Sequence, residues 1–377
     1  MTGAATTHST GADAQLQRLL SYLESDPANA ALRADAAERA MAVREPAIAR
    51  DLFSGQDPAS LGNRELGLLG LAEMQSGDFA AAAATHRLLL GRGAGDPAIA
   101  FNLAWSLAML KEFEAALEQL TPAVTTALPQ AAMLEVQVLH ERGDFEAAET
   151  AARAHLERFP DDPGLAAAVS VLALDVEDRD LAEACARKAG NHPDALATLG
   201  TLALGEQRVG EAAALFDRAI DLSPHSPRPW IGRGLARLVE QDGGAAADID
   251  RGAELFRDHL GSWIAAGWAY LIAGDLSAAR NRFERALAID DAFGEAQGSL
   301  AVVDILEARA GEGRTRASIA KRLDRSSFSA GFADVLLLQG EGDAEAARVL
   351  FDRILASPIN ARGDTAAAAL VRLGIGR

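Results

Sequence analysis

The sequence is poor in cysteine, in lysine and in aromatic residues. It has 377 residues, of which one is cysteine (Cys185), three are lysine and 5% are aromatic. A single cysteine excludes an intramolecular disulfide bond and a cysteine-ligated metal cluster, and it fits a reducing compartment. Alanine supplies much of the apolar fraction of 49%. Side chains that small favour close packing of one helix against another.

Long apolar stretches are missing as well. The two longest runs without a charged residue, 119–134 and 259–274, hold 16 residues each. A membrane-spanning helix needs roughly 18 or more. The N-terminal residues have neither a basic start nor an apolar core, so they do not read as a secretory signal. We therefore expect a cytoplasmic protein with no membrane insertion. Arginine in place of lysine, with abundant alanine and glycine, indicates a bacterial gene.

Positive charge is scarce overall. The 36 basic and 54 acidic residues give a net charge of −18. A surface this acidic repels phosphate backbones and anionic lipids, which argues against nucleic-acid binding. The charged fraction of 24% is ordinary for a folded domain, so most of the chain should be ordered.

The sequence does contain an internal repeat. An alanine recurs five residues after a Gly-Asp turn or its equivalent, and the first eight copies are separated by 33, 34, 32, 36, 28, 34 and 33 residues. A ninth copy lies 68 residues further on, which is twice 34. These alanines are Ala49, Ala82, Ala116, Ala148, Ala184, Ala212, Ala246, Ala279 and Ala347. Steps of this regularity indicate an array of similar units.

The segments between the turns have the pattern of helix pairs. Trp263, Gly267 and Tyr270 recur at helical spacing, as one apolar stripe of a helix does. Gly274 can then end that helix and Asp275 can cap the next one. Since β-branched residues nowhere alternate with a period of two, strands are not expected.

This repeat resembles the tetratricopeptide repeat (TPR), a unit of 34 residues with the pattern W-x2-L-G-x2-Y…A-x3-F…P. The segment 260–289 matches it through Trp263, Gly267, Tyr270, Ala279 and Phe283. A second segment, 193–224, matches it through Leu199, Gly200, Ala212, Phe216 and Pro224. The resemblance covers about nine units and implies an all-α fold, a right-handed superhelical solenoid of stacked antiparallel helix pairs.

The repeat pattern divides the chain into five parts. We predict a disordered tail at 1–12, then N-terminal capping helices and a divergent first repeat at 13–58. A TPR-like array follows at 59–292, and an irregular repeat at 293–326. The remainder, 327–377, is predicted to hold a C-terminal repeat and a capping helix, because the last unit of a solenoid has no neighbour to cover it.

Residue patterns for catalysis or metal binding are weak. The seven histidines lack the HExxH spacing of a zinc-binding helix. The acidic cluster at 175–183 has Arg179 and Asp180 where a calcium loop needs an oxygen ligand and a glycine, which favours a solvated turn. Cys185 lies among alanines, as a small packing residue does. We therefore predict no enzyme activity, no metal and no cofactor.

The first helix of each pair lines the concave face in the TPR family, so its side chains give a candidate binding groove. Trp230 and Trp263 occupy the packing slot and are expected in the core. For Trp105 and Trp268 two interpretations stay open, exposure in the groove and burial between helices. The predicted partner-binding groove comprises Phe101, Trp105, Met109, Met133, Ile231, Leu235, Ile264, Trp268, Leu271 and Phe332.

One basic cluster stands out in this acidic chain. It consists of Arg314, Arg316, Lys321, Arg322 and Arg325. The cluster could dock an acidic segment of a partner, or it could be a solvated helix whose charges pair with neighbouring acids.

The hypothesis that these features favour is a noncatalytic scaffold or adaptor. It would bind a protein or peptide partner along an apolar concave groove. Two alternatives stay open: an enzyme or enzyme subunit with an active site built from non-motif residues, and a structural module that associates with itself into a homo-oligomer.

Overall fold

The computed structural model describes residues 6–93, 95–357 and 365. In this part of the chain the regular elements are 22 α-helices and one short 3-10 helix, with no strand. The helices are α1 (Thr6–Ser25), α2 (Ala30–Ala42), α3 (Pro46–Asp51), α4 (Asn63–Gln75), α5 (Phe79–Gly91), α6 (Pro97–Met109), α7 (Phe113–Gln119), α8 (Pro122–Ala127), α9 (Pro129–Glu141), α10 (Phe145–Arg158), α11 (Pro163–Asp175), α12 (Arg179–Ala189), α13 (Pro193–Gly205), α14 (Val209–Leu222), α15 (Pro227–Val239), α16 (Ala245–Phe256), α17 (Leu260–Ile272), α18 (Leu276–Ile289), α19 (Gly294–Leu306), α20 (Ala310–Leu323), α21 (Phe328–Gly340) and α22 (Ala344–Ala356), with the 3-10 helix at Pro58–Ser60.

These helices form stacked antiparallel pairs, which confirms the predicted all-α fold. After α1, the described residues hold ten pairs, from α2 with α3 to α21 with α22, and the first helix of every pair has 13 residues. Within each of the two units described below, neighbouring pairs pack on one another, for example α5 on α6 and α16 on α17. Helix α1 begins inside the segment 1–12, and the predicted C-terminal capping helix lies outside the described residues.

The chain divides into two compact units inside α11. The first unit ends at Leu172 and the second begins at Ala173. Each unit is built from pairs of the same kind. The segment 293–326, predicted to be irregular, contains α19 and α20, with 13 and 14 residues, the usual lengths in this protein.

Every pair turns through one residue with a positive φ. The turn residues are Arg44, Gly77, Lys111, Gly143, Glu177, Gln207, Gln241, Gly274, Ala308 and Gly342, with φ between 57° and 85°. This left-handed conformation suits glycine and is unfavourable for other residues. Only four of the ten turns have glycine there, so the backbone conformation, more than the Gly-Asp sequence, marks the repeat.

A buried small residue follows five positions after each turn. It is alanine in nine pairs and Gly313 in α20. The sequence prediction was wrong in one unit, because Ala184 is exposed and Ala182 fills the slot. Helix α12 starts earlier than the sequence indicated, since Asp178 caps it by accepting a hydrogen bond from the Leu181 amide.

Four positions further on is the place that phenylalanine occupies in the TPR pattern, which lies in the second helix or, for Phe53 and Leu120, just after it. The occupants are Phe53, His86, Leu120, Ala152, Ala186, Phe216, Asp250, Phe283, Ala317 and Phe351. A glycine often faces the ring: a Cβ atom at Gly200 would lie 2.7 Å from Cε1 of Phe216. The ring and the missing side chain together set how closely the two helices approach.

His86 is the unusual occupant of this slot. It is 1% exposed, and neither ring nitrogen has a hydrogen-bond partner. A Cβ atom at Gly70 would lie 2.8 Å from Nε2 of His86, so the imidazole sits over a glycine as Phe216 does. Burial lowers the pKa of His86, and the carbonyl group of Ala82 opposes that effect only in part.

Acidification should therefore destabilise the first unit through His86. Because the folded-state pKa lies below the ordinary value of 6.5, the unfolded chain takes up the proton first, and stability falls as the pH drops through 6.5. His86→Phe should remove this dependence and raise the free energy of unfolding at neutral pH by about 1–2 kcal/mol, since no buried polar atom stays unpaired. Urea denaturation at about pH 7.5 and pH 5.5 measures both effects.

The exposed His225 provides the control for this comparison. His225→Phe should keep the wild-type pH dependence, because it replaces an imidazole that lies at the surface and leaves His86 in place. The buried Glu73, whose pKa burial raises, titrates in all three proteins and cancels in the difference. An unchanged pH dependence in His86→Phe would show that the imidazole is not buried neutral.

Candidate functional site

In the first unit, the predicted groove residues lie on α6 and α9. Phe101 and Trp105 are one helical turn apart on α6, with ring centroids separated by 6.2 Å. Both are half-buried and pack on the cluster around Leu103 and Leu107. Met133 on α9 is half-buried, whereas Met109 at the end of α6 is 43% exposed. Along α6, the predicted groove thus runs from the packed rings of Phe101 and Trp105 to the exposed thioether of Met109.

In the second unit, Trp268 joins several helices. Its Nε1 donates a hydrogen bond to the Ser299 hydroxyl of α19 at 3.1 Å. Its ring centroid lies 6.3 Å from that of Phe283 on α18 and 5.9 Å from that of Phe332 on α21. Trp268 is half-buried and therefore contributes to packing between pairs, with one part of its ring left to solvent.

The other predicted groove residues of this unit are half-buried too. Ile264 and Leu271 pack beside Trp268 on the cluster around Phe283 and Leu300. Leu235 contacts two clusters of buried residues, and Ile231 lies against Gly252, where a Cβ atom would be 2.4 Å from its Cγ1. These predicted groove residues mainly pack the helices against one another.

The two tryptophans expected in the core differ from each other. Trp263 is 4% exposed, and its Nε1 donates to the Arg257 carbonyl at 2.6 Å. Trp230 is only half-buried, although its Nε1 donates to the Pro224 carbonyl at 2.9 Å. The Arg233 guanidinium covers its ring at 4.7 Å. Trp230 lies under an arginine and outside the apolar core, so the prediction of a buried residue was wrong there.

Exposed apolar side chains lie at the C-terminal ends of several helices, both first helices and second helices such as α14, α18 and α20. Ile272 ends α17 and is 61% exposed, and Leu306 ends α19 at the equivalent position. Met109 ends α6 in the first unit. The predicted groove included Met109 but neither Ile272 nor Leu306, although the step of 34 residues between these two marks them as equivalent positions.

The comparisons with known proteins concern the fold. No protein-family model matches the chain, and no curated protein sequence matches it. Among solved structures, it is similar to PilF from Pseudomonas aeruginosa, with a TM-score of 0.44 and 18% identity over 54% of this chain and 94% of that one. It is also similar to YrrB, described as a TPR protein with an unusual peptide-binding site, with a TM-score of 0.39 and 17% identity over 48% of this chain and 97% of the other.

The helix pairs, with their 13-residue first helices, recurrent turn and buried small residue, decide the architecture. The chain has a TPR-like fold. This conclusion confirms the resemblance drawn from the sequence and rests on the ten pairs themselves. Neither similarity identifies a partner.

The basic cluster of this TPR-like protein is largely paired within the second unit. Arg316 Nε donates to Asp304 at 2.9 Å, while Arg314 pairs with Glu341 and Lys321 with Asp334. The two remaining members, Arg322 and Arg325, are exposed. Three of the five charges therefore already have acidic partners, and docking of an acidic segment stays a hypothesis.

The described residues of the TPR-like chain hold few features of a catalytic or metal-binding site. They hold no group of three or more metal-ligating side chains, and none of their helices is both long and apolar enough to cross a membrane. Cys185 is buried, and burial raises the pKa of its thiol, which disfavours the reactive thiolate. The acidic cluster at 175–183 supplies a helix cap through Asp178 and an ion pair between Asp175 and Arg228.

Proposed function

We propose that this TPR-like protein is a noncatalytic scaffold that binds a protein or peptide partner on the apolar face of its first helices. Two exposed aliphatic residues near the tryptophans Trp105 and Trp268 support the proposal. Met109 lies one turn beyond Trp105, and Ile272 lies one turn beyond Trp268. Each pair combines an exposed aliphatic side chain with a tryptophan, a residue type enriched among binding hot spots.

Packing makes these tryptophans suitable for binding. Trp268 is held by Ser299 and Phe332, and Trp105 by Phe101. A side chain already fixed in the free protein loses little conformational entropy when a partner covers it. The partner would bury its own apolar side chains against the remaining exposed surface, and the groove residues that lie deeper would keep the helices in register.

Replacing the two exposed aliphatic residues should weaken partner binding strongly without unfolding the protein. We expect the double variant Met109→Glu with Ile272→Glu to lose about 2 kcal/mol or more of binding free energy, because a carboxylate cannot be buried in an apolar contact. Affinity capture from the native cell, quantified by mass spectrometry and repeated with the purified partner, measures the loss. Circular dichroism verifies that the helices are retained.

The matched control carries the same change on other exposed apolar residues. Phe145 is 46% exposed at the start of α10, and Leu222 is 49% exposed at the end of α14. The control Phe145→Glu with Leu222→Glu should keep the partner. If the control loses it equally, or if light scattering shows that the captured species is a second copy of this chain, the proposed surface or the scaffold function is wrong.

A further inference from the structure

The second helix of one pair is broken, and the break opens a trough on the side of the second helices. Helix α7 ends after seven residues, and Pro122 begins the six-residue α8. Proline lacks the amide hydrogen that a continuous helix would need there. In the pairs that follow, the second helices run for 11 to 14 residues without interruption. The shortened α7 and the displaced α8 leave space beside α10.

This space, which we call the α8–α10 trough, has a volume of about 1150 Å³. Helices α7 and α8 form one wall, α10 forms the other, and Glu135 and Leu139 of α9 form the floor. The apolar part of the lining consists of Leu117, Pro122, Leu139, Ala147, Ala151 and Ala154. Because alanines face the space along α10, a bound chain could approach that helix closely.

The charged part of the lining is mainly acidic. Four carboxylates reach the trough, those of Glu135, Asp144, Glu146 and Glu157. They are opposed by one arginine, Arg158, and by one histidine. The trough is therefore an apolar surface with a negatively charged rim.

Two of these carboxylates already have partners inside the unit. Glu135 Oε2 lies 2.5 Å from Nε2 of His155, and Asp144 pairs with Arg142 at 2.6 Å. The only arginine of the lining is also engaged, because Arg158 Nε donates to the Thr126 carbonyl at 2.9 Å. These contacts hold the walls in place.

The carboxylates of Glu146 and Glu157 remain available. Both are exposed, and neither forms an ion pair among the described residues. They stand eleven positions apart on α10, about 16 Å along the helix axis. The apolar lining lies between them, so the trough presents negative charge at both ends of an apolar strip.

We propose that the α8–α10 trough binds a short basic peptide segment, with arginine or lysine side chains on Glu146 and Glu157 and apolar side chains on the alanine wall. Charge complementarity selects this occupant, since an acidic segment would be repelled by the unpaired carboxylates of Glu146 and Glu157. The trough is separate from the first-helix face, so the protein would hold two partner segments on two different surfaces of its first unit.

The test uses a fluorescein-labelled synthetic peptide of arginine, leucine and alanine, titrated into the full-length protein and followed by fluorescence anisotropy. Glu146→Gln with Glu157→Gln should weaken binding about three- to tenfold at low salt and less at high salt, because exposed ion pairs are screened. Ala154→Trp, which fills the trough from an exposed position, should abolish binding. A peptide with glutamate in place of each arginine should not bind.

Matched variants separate the trough from general attraction to an acidic protein. Glu114→Gln with Glu118→Gln removes the same charge from α7 outside the trough, and Ala184→Trp adds the same side chain to an exposed position of α12. Both should bind the peptide as the wild type does. The proposal is overturned if either control binds as weakly as its trough counterpart, or if Ala154→Trp binds normally.

The same titration distinguishes the two proposed surfaces. Met109→Glu with Ile272→Glu should leave the affinity for the basic peptide unchanged. If that variant loses the peptide while the trough variants keep it, the peptide occupies the first-helix face and the trough proposal fails. If the trough variants alone lose it, the trough proposal stands whatever the first-helix face binds.

Discussion

Replacing Asp304 with alanine should lower the free energy of unfolding of the second unit by about 3 kcal/mol. Asp304 is fully buried in α19 and accepts hydrogen bonds from Arg280 at 2.6 Å, Arg309 at 2.8 Å and Arg316 at 2.9 Å. Removing it leaves three guanidinium groups without their shared acceptor. Because these arginines are partly exposed, they can regain water, which places the cost at the low end of the range for broken buried pairs.

The pH dependence of this contribution has a definite sign. Burial of Asp304 opposes its ionisation, but the hydrogen bonds from Arg309, Arg280 and Arg316 outweigh burial, and the pKa of Asp304 is lowered below its ordinary value of 3.8. Its contribution is therefore complete above about pH 4 and is lost as the pH falls through the lowered pKa. The free energy of unfolding of Asp304→Ala should therefore not show this loss at low pH.

Asp217 supplies the matched control for Asp304. It accepts a hydrogen bond from Arg233 at 2.8 Å but is mostly exposed, so Asp217→Ala should cost less than about 1 kcal/mol. Urea denaturation of both variants followed by far-UV circular dichroism gives the comparison. Similar small losses in the two variants would show that the Asp304 cluster is solvated in solution.

The second large effect is expected where Phe283 meets Gly267. A Cβ atom at Gly267 would lie 2.2 Å from Cε1 of Phe283, so the ring occupies the space that a side chain on α17 would need. Phe283→Ala should cost about 3–5 kcal/mol through lost burial and the cavity left behind. Gly267→Ala should cost about 1–3 kcal/mol through overpacking.

The two changes together should cost less than their sum. With the ring removed, the alanine methyl group at position 267 no longer clashes and fills part of the cavity, so a coupling of at least about 1 kcal/mol is expected. Gly91, where a Cβ atom would have no neighbour within 4 Å, gives the control: Gly91→Ala with Phe283→Ala should be additive. Additivity at Gly267 as well would contradict the close contact between ring and glycine.

The fold was predictable because its signals are local and recur at a fixed step. Alanines such as Ala82 and Ala279 mark the contact between the two helices of a pair, and prolines such as Pro97 and Pro227 mark the start of first helices. Errors arose where a different residue meets the same steric need. Gly313 replaces the alanine in α20, and Ala182 was overlooked because α12 also has alanines at 184 and 186.

The candidate surface was harder to predict, because exposure depends on neighbouring pairs. Periodicity placed Trp105 and Trp268 one position off the packing stripe, but it could not show that Phe332, 64 positions further along the chain, covers part of Trp268. Nor could it predict the α8–α10 trough. Pro122 was visible in the sequence, but the volume that opens beside α10 depends on how three other helices pack.

The ten turns have an evolutionary consequence. Six of them place a residue other than glycine in the left-handed conformation, each at a cost of about 1 kcal/mol relative to glycine. A single globular core would have difficulty absorbing six such costs, but in a stacked array each turn strains only its own pair and the neighbours of that pair. Substitutions at these positions can therefore accumulate one unit at a time, because each affects only its own pair and the neighbours of that pair.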